Sequence, residues 1–279
     1  MIETKRRLKH IGKAEYSIEA VGMLEAITGL GRVAQVLEED RIVSVLEEEK
    51  LERFLLEREN HRPLQYILGT CEFMGLSFAV GEGVLIPRSD TEVLVEAVLE
   101  ILGENETPLP VVLDMCTGSG CIAISLAKHG RYAVLGADIS PAALSFARRN
   151  AQSHGVGAEL FIESDLFAAV PQAYLGRLDA VVSNPPYIKG EEIPGLMPEV
   201  SVYEPLHALD GGADGLDFYR RLIAEARAWL TAEGWLFFEI GYDQGADVVC
   251  LMEQAGYEAC EVRQDLAGLD RVVLGRKKR

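Results

Sequence analysis

An alternation of apolar, strand-like runs with amphipathic helical stretches constrains the fold more than any other feature of this sequence. It begins at Val111 and predicts six strands, over 111–114, 133–138, 159–162, 180–183, 235–240 and 271–274. Four helices are predicted between them, over 121–129, 141–153, 218–230 and 244–255. Because strands that alternate with helices form mostly parallel sheets covered on both faces, we expect an α/β, doubly wound domain.

The chain before this region follows a different pattern. Apolar residues at helical spacing predict a helix over 16–27 that stops at Gly29, and one helix or two short ones over 42–58. The acidic run 47–49 is interpreted as a solvated stretch between the two stripes of the second segment. We therefore expect a small helical bundle over 1–62, which lacks catalytic motifs and is structural or recognises a partner.

A linker over 63–88 is predicted to join the two domains. Two β-like runs, 73–80 and 84–86, are separated by the glycines of 81–83 and predict a hairpin. A helix capped by Ser89 or Asp90 then opens the second domain, which spans 89–279.

The tetrapeptide Asn184-Pro185-Pro186-Tyr187 directly follows the predicted strand 180–183. Neither proline can donate to a β-ladder, so the chain must leave the sheet at its carboxyl edge, where open α/β sheets bind ligands. Asn184 and Pro185 offer acceptor oxygens, and Tyr187 offers a flat face. Such a group can hold a planar NH2 with its lone pair directed outward, as an enzyme that alkylates an amide or an exocyclic amine requires. The structural alternative is a Pro-Pro turn capped by the asparagine.

A glycine-rich turn, Gly118-Ser119-Gly120, lies between a predicted strand and a predicted helix and is typical of nucleotide-binding sites. Asp138 ends the next strand, where an acid bonds the hydroxyls of a ribose. This pattern fits NAD and S-adenosylmethionine equally. Asp114, suited to an ammonium group, and Asp165, suited to an adenine amino group, favour the methyl donor. Asp165 could equally be a helix N-cap.

Composition and charge narrow the possible partners. The chain has 48% hydrophobic and 25% charged residues, without a membrane-length apolar run or a recognisable signal peptide, so we expect a cytoplasmic protein and no membrane partner. Five scattered cysteines and five scattered histidines lack metal-ligand spacing, which predicts free thiols and no metal site; His129, His154 and His207 are interpreted as surface or packing residues. A net charge of −17 argues against direct nucleic-acid binding.

Taken together, these motifs resemble those of the release factor glutamine methyltransferases, the PrmC/HemK family. The resemblance is carried by eight segments in the family's order: 63–69, 85–92, 114–123, 182–188, 203–205, 214–216, 239–241 and 265–268. One departure is Cys116, where the family often has glycine. The first 60 or so residues match only as a helical domain of the right size and place.

The resemblance implies a class I, Rossmann-like methyltransferase domain with a seven-stranded sheet, a small N-terminal helical domain and S-adenosylmethionine as cofactor. It implies a cofactor pocket lined by Cys116, Thr117, Gly118, Ser119, Gly120, Asp138, Asp165, Leu166 and Asn184. It also implies that Asn184, Pro185, Pro186 and Tyr187 hold the glutamine of the Gly-Gly-Gln motif in bacterial class I peptide chain release factors, with the N-terminal bundle recognising the protein substrate.

The expected reaction needs positioning more than activation, because the sulfonium of the donor is already an excellent leaving group. The Asn184 side chain and the Pro185 carbonyl are expected to accept the two amide hydrogens, and Tyr187 to pack against the amide plane. Two alternatives stay open on the residues alone. One is an adenine amino-methyltransferase acting on DNA or RNA, since such enzymes share the tetrapeptide, and the other is a binding module that keeps the cofactor fold as a scaffold.

Overall fold

The computed structural model describes residues 2–10, 16–38, 40–103 and 109–278. The chain divides into two units by its internal contacts. The smaller unit contains Met1–Thr70 together with Met197–Tyr203, and the larger contains Cys71–Leu196 and Glu204–Arg279. The return of Met197–Tyr203 to the smaller unit is a feature that no sequence pattern indicated.

The smaller unit is helical, as predicted. Its helices are α1 (Ile2–His10), α2 (Tyr16–Thr28), α3 (Arg32–Leu37), α4 (Val45–Glu59) and α5 (Leu64–Leu68). The predicted stop of α2 at Gly29 is confirmed by its left-handed φ of 72°. The segment 42–58 contains one helix, α4, which begins only at Val45. Glu47 is part of its start and not of a solvated break, because its side chain and Ser44 form a reciprocal capping box.

A buried ion pair accompanies the apolar core of the smaller unit. The core consists of Leu8, Ala20, Met23, Phe54 and Leu55. Arg58, whose side chain is 2% exposed, donates to both carboxylate oxygens of Glu19 at 3.0 and 2.9 Å and pairs with Glu199 at 2.9 Å. The Tyr203 hydroxyl donates to the Asn60 carbonyl at 2.7 Å. Met197–Tyr203, which includes α9 (Pro198–Ser201), is therefore held to the C-terminal end of α4 by polar contacts of Glu199 and Tyr203.

The hairpin exists, but its turn was predicted in the wrong place. Strands β1 (Thr70–Phe73) and β2 (Leu76–Ala79) are joined at Met74 and Gly75, which have φ of 50° and 69°. The glycine at 75 supplies the tight turn, whereas 81–83 lies beyond the second strand. The run 84–86 is not a strand.

The larger unit is built on a seven-stranded sheet, which confirms the predicted fold class. The strands are β3 (Val111–Met115), β4 (Ala133–Asp138), β5 (Phe161–Glu163), β6 (Leu178–Ser183), β7 (Leu230–Glu239), β8 (Tyr257–Gln264) and β9 (Asp270–Lys277). They lie in the order β5-β4-β3-β6-β7-β9-β8, with β3 to β7 parallel and β9 antiparallel to both of its neighbours.

Three strands differ from the prediction. Strand β7 starts at Leu230, before the predicted start at 235. The stretch predicted as 159–162 begins with a 3₁₀ turn, Ala158–Leu160, and the strand starts only at Phe161. Strand β8 was not predicted, because it lies at the edge of the sheet and carries charged residues between half-buried ones. Such a pattern resembles a loop more than the continuous apolar runs of the central strands.

Helices cover both faces of the sheet. They are α6 (Glu92–Gly103), α7 (Cys121–His129), α8 (Pro141–His154), α10 (Asp217–Trp229) and α11 (Gly245–Gln254). The side chains of neighbouring strand residues point to opposite faces of the sheet. Val112 therefore belongs to the core cluster with α6, α7 and α8, whereas Leu113 belongs to the core cluster with α10 and α11. The predicted cap of α6 is wrong, because Ser89–Thr91 forms a 3₁₀ turn before that helix.

In the described part of the chain, no helix is both long and apolar enough to cross a membrane.

Candidate active site

A cavity of about 270 Å³ opens at the carboxyl ends of β3, β4 and β6. These strands flank the point at which the strand order reverses, where doubly wound sheets bind ligands. All residues that line it belong to the larger unit. Of the predicted site residues, those at the cavity wall are Cys116, Thr117, Gly118, Ser119, Asp138, Asp165, Leu166, Asn184 and Pro186. The other four, Asp114, Gly120, Pro185 and Tyr187, are not among the residues that line it.

Asp138 is joined to the glycine-rich loop and to the start of α8. Its Oδ2 accepts from the Gly118 N–H at 2.8 Å, and its Oδ1 accepts from the Ser140 N–H at 2.9 Å. Burial raises the pKa of Asp138, and these two N–H groups oppose that rise by stabilising the carboxylate. Each oxygen keeps a second acceptor direction, so the carboxylate can fix the loop and still bind a hydroxyl in the cavity.

Asp114 lies beneath the loop and does not line the cavity. Its Oδ2 accepts from the Thr117 hydroxyl at 2.5 Å and from the Ala123 N–H at 3.1 Å. Burial raises its pKa to about 7. The arrangement makes Asp114 a brace between the end of β3 and the start of α7, and its role toward the ammonium group of the donor stays a prediction.

Backbone conformation explains the residue types of the loop. Gly120 has φ of 81°, and a Cβ there would lie 3.0 Å from Ile124 and 3.1 Å from Phe161. Cys116 has φ of 63°, a left-handed conformation that glycine adopts without strain. Burial raises the pKa of the Cys116 thiol, so this wall of the cavity is neutral.

Asp165, which follows strand β5, has a cationic partner. Asp165 pairs with Arg221 of α10 at 2.9 Å, and both side chains are about half exposed at the cavity. No helix starts at Asp165, so the N-cap alternative is wrong. Leu166 follows with φ of 47°, and its carbonyl accepts from the Ser164 hydroxyl at 2.5 Å.

The Asn-Pro-Pro-Tyr turn leaves the sheet at the end of β6, as predicted. The half-buried Asn184 donates its Nδ2 to the Thr91 hydroxyl at 3.3 Å. The Tyr187 hydroxyl donates to Glu239 Oε1, also at 3.3 Å. The two contacts reach different elements, so the turn is fixed at both ends.

Two glycines and one glutamine support this turn from behind. A Cβ at Gly211 would lie 2.7 Å from Tyr187 Cα, and one at Gly215 would lie 2.4 Å from the Tyr187 carbonyl oxygen. Gln244 donates to that same oxygen at 3.0 Å. Only glycine allows the chain of 211–215 to come this close.

Several cavity residues were missed by the sequence analysis. They are Ile86, Pro87, Arg88, Thr91, Ile139, His207, Phe218 and Arg221. Ile139 directly follows Asp138 at a strand end, so its position carried a usable signal. The others come from loops and from α10, which only the folded chain brings to the cavity. Arg88 pairs with the buried Glu204 at 2.5 Å.

Among the described residues, no three side chains of the metal-binding types come together, and all five cysteines are free thiols.

Comparisons with known proteins cover both units. Two family models match, the PrmC N-terminal domain over residues 1–69 and the methyltransferase small domain over residues 90–199. The release factor glutamine methyltransferase of Geobacter sulfurreducens is 42% identical over 274 residues, which are 98% of this chain and 94% of that protein. The protein of the same name from Clostridium acetobutylicum is 46% identical over 218 residues, which are 78% of this chain and 76% of the relative.

One solved structure adds to the description of the fold. The ribosomal protein L11 methylase of Lactobacillus delbrueckii subsp. bulgaricus gives a TM-score of 0.51 at 21% identity, covering 72% of this chain and 84% of that one. At that identity the likeness shows a shared fold alone.

Proposed function

Because the chain belongs to the family of release factor glutamine methyltransferases, we propose that it transfers a methyl group from S-adenosylmethionine to the side-chain amide nitrogen of a glutamine in a release factor. One observation carries the proposal. Asn184 lines the same cavity as Asp138, and its Nδ2 is already bonded to Thr91. Its oxygen is thereby left to accept a hydrogen from a substrate amide beside the donor site.

The residues at the cavity fit S-adenosylmethionine. The Asp138 carboxylate can bond ribose hydroxyls, and the loop from Cys116 to Ser119 brings backbone close to the ligand. Asp165 can accept from an adenine amino group with the oxygen that Arg221 leaves available. When bound, the donor supplies a methyl group on a positively charged sulfonium.

The chain's own contribution to the transfer is orientation and charge stabilisation. Asn184 Oδ1 and the Pro185 carbonyl oxygen accept the two hydrogens of the substrate amide and stabilise the positive charge that develops on its nitrogen. Tyr187 packs against the amide plane, and its hydroxyl bond to Glu239 holds the ring in place. The extra proton leaves to water after transfer, so no general base is required.

The proposed substrate is the glutamine of the Gly-Gly-Gln motif in bacterial class I peptide chain release factors. Its methylation would modulate translation termination, which makes the cytoplasm the proposed compartment. The adenine-directed alternative is disfavoured by the names of the relatives and by the net charge of −17, because a nucleic-acid groove needs cationic side chains.

The test offers labelled methyl donor with a purified release factor in one reaction and with DNA and RNA in two others. We expect label only in the release factor, and mass spectrometry of its tryptic peptide should show one methyl on the glutamine side-chain nitrogen. Label on adenine, with an unmodified release factor, would refute the proposal.

A further inference from the structure

An ion pair at the cavity has no role in the reaction described above. Arg88 belongs to the segment 85–92 and Glu204 to the segment 203–205, two of those that carry the resemblance to the family. Arg88 Nη2 donates to Glu204 Oε2 at 2.5 Å, across 116 positions of sequence. The fold thus brings these two segments together beside the proposed donor site.

The two partners of this pair differ in their exposure. The side chain of Glu204 is 1% exposed, whereas that of Arg88 is 39% exposed and lines the cavity. A buried carboxylate costs free energy unless its partners stabilise it. A guanidinium group has five N–H donors, and the bond to Glu204 uses one of them. Glu204 therefore anchors Arg88 from behind, and Arg88 can donate to a second carboxylate in the cavity.

Backbone contacts fix Arg88 close to Asn184. Arg88 directly precedes the 3₁₀ turn Ser89–Thr91, and its carbonyl accepts from the Thr91 N–H at 3.1 Å. The Thr91 hydroxyl accepts in turn from Asn184 at 3.3 Å. One short turn therefore connects the arginine to the residue proposed to hold the substrate amide.

The charges at the cavity wall indicate what Arg88 can bind. Among the described residues that line the cavity, two are arginines, Arg88 and Arg221. Arg221 pairs with Asp165, which is proposed to accept from the adenine amino group. Arg88 is therefore the arginine on the side of Asn184, where the methyl group must lie for transfer to an amide. S-adenosylmethionine has one anionic group, its α-carboxylate, and a short carbon chain joins it to the sulfonium.

We propose that Arg88 binds the α-carboxylate of S-adenosylmethionine and that Glu204 is a positioning residue, which holds the guanidinium group of Arg88 at the cavity. Arginine suits this role because its planar group matches the geometry of a carboxylate and stays charged. The inference rests on the proposed function for the identity of the methyl donor, and not on which acceptor is methylated.

The proposed contact predicts selection between two sulfonium compounds. Decarboxylated S-adenosylmethionine keeps the adenosine, the sulfonium and the methyl group but lacks the carboxylate. It cannot accept from Arg88, and it brings its positive charges to the cavity without the compensating anion. We expect the wild type to bind S-adenosylmethionine roughly tenfold to a hundredfold more tightly than the decarboxylated compound, the range for hydrogen bonds between charged groups.

Isothermal titration calorimetry of the full chain with each compound tests the inference. Arg88→Met keeps an unbranched apolar stem and removes the donors. It should weaken S-adenosylmethionine binding roughly tenfold to a hundredfold and leave the affinity for the decarboxylated compound unchanged. Glu204→Gln keeps Arg88 but loosens it, so it should reduce the preference between the compounds by roughly threefold to tenfold, the cost of ordering one long side chain.

The matched control is Arg276→Met on β9. Arg276 pairs with Glu258 at 2.9 Å, and its side chain is 38% exposed, close to the value for Arg88, but it does not line the cavity. This variant should bind both compounds with wild-type affinity.

An Arg88→Met protein that binds S-adenosylmethionine as tightly as the wild type overturns the inference, and so does an equal loss of affinity for both compounds. If that variant fails to fold in thermal unfolding, the double variant Arg88→Met/Glu204→Gln, which removes both charges of the pair, decides by the same comparison. The titrations contain no methyl acceptor. A wild-type enzyme that leaves the release factor unmodified therefore refutes the proposed function and not this inference.

Discussion

Asn184 and Asp138 stand at the ends of β6 and β4, on either side of β3, and their surroundings explain the role proposed for each. Asn184 is oriented by a side chain behind it, whereas Asp138 is oriented by backbone N–H groups of the loop that it faces. At the scale of the residue, both oxygens that would meet ligand are therefore fixed before ligand binds, which reduces the cost of ordering them.

Asn184→Ala should lower kcat with a release factor by about a hundredfold or more, because it removes one acceptor for the charge that develops on the amide nitrogen. The thermal unfolding midpoint should stay close to that of the wild type. Gln152→Ala, which truncates an exposed amide on α8, should keep full activity. Near-normal turnover of the Asn184 variant would contradict its proposed role.

Asp138→Ala should weaken S-adenosylmethionine binding by about 1–3 kcal/mol, the range for hydrogen bonds to a charged group. The loss combines a missing ribose acceptor with a loop that has lost its bond at Gly118. Isothermal titration calorimetry measures the change in affinity. The Asp138→Asn variant, which keeps one acceptor oxygen, should bind S-adenosylmethionine with an affinity between those of the wild type and Asp138→Ala. NAD should not bind, and tight NAD binding would instead support a dehydrogenase.

At the scale of the element, the loop between β3 and α7 requires left-handed backbone at three positions, Cys116, Gly118 and Gly120. The two glycines differ in the space around them. A Cβ at Gly118 would meet nothing within 4 Å, whereas one at Gly120 would press on Ile124, Phe161 and Ala147.

This difference predicts unequal effects of two matched substitutions. Gly118→Ala should lower the free energy of unfolding by about 1–2 kcal/mol, the cost of a left-handed side-chain residue. Gly120→Ala should lower the free energy of unfolding by about 1–3 kcal/mol more than Gly118→Ala does, because the core must also make room for a methyl group. Urea unfolding of both variants measures this difference, and equal midpoints would show that the contacts around Gly120 yield freely.

The elements that could be predicted from the sequence are those with continuous apolar runs or with clear turn and capping residues at their ends. Strand β4 and helix α7 have the predicted limits, and the turn at Asn184 lies at the predicted edge of the sheet. Strand β8 was missed because its polar face hides the pattern. Thr91 and Arg221 could not be foreseen at the cavity, since tertiary packing alone brings their elements there.

At the scale of the whole molecule, the cavity and the helical unit share no residues. Every cavity-lining residue belongs to the larger unit. The smaller unit also includes Met197–Tyr203, a segment that the predicted boundaries at 62 and 88 assigned to the methyltransferase domain. Arg58 pairs with Glu199 of this segment.

A shortened chain beginning near Arg62 should still bind S-adenosylmethionine, provided that circular dichroism shows it folded. It should methylate a folded release factor much more slowly than the intact chain, because a single amide gives too little contact for selectivity. A free Gly-Gly-Gln peptide, which offers no larger surface, should be methylated equally by both. Equal rates on the folded release factor would show that the helical bundle has no part in recognition.

The return of Met197–Tyr203 to the smaller unit limits how genes of this kind can recombine. Glu19 and Arg58 are encoded near the start of the gene, whereas Glu199, the second partner of Arg58, is encoded far downstream, between stretches that encode the larger unit. An exchange of the first 70 codons between two homologues would therefore pair Arg58 of one lineage with the downstream segment of the other. The N-terminal helices therefore share contacts with a segment encoded far downstream, and we expect a chimera that takes codons 197–203 from the same parent to keep the pair between Arg58 and Glu199.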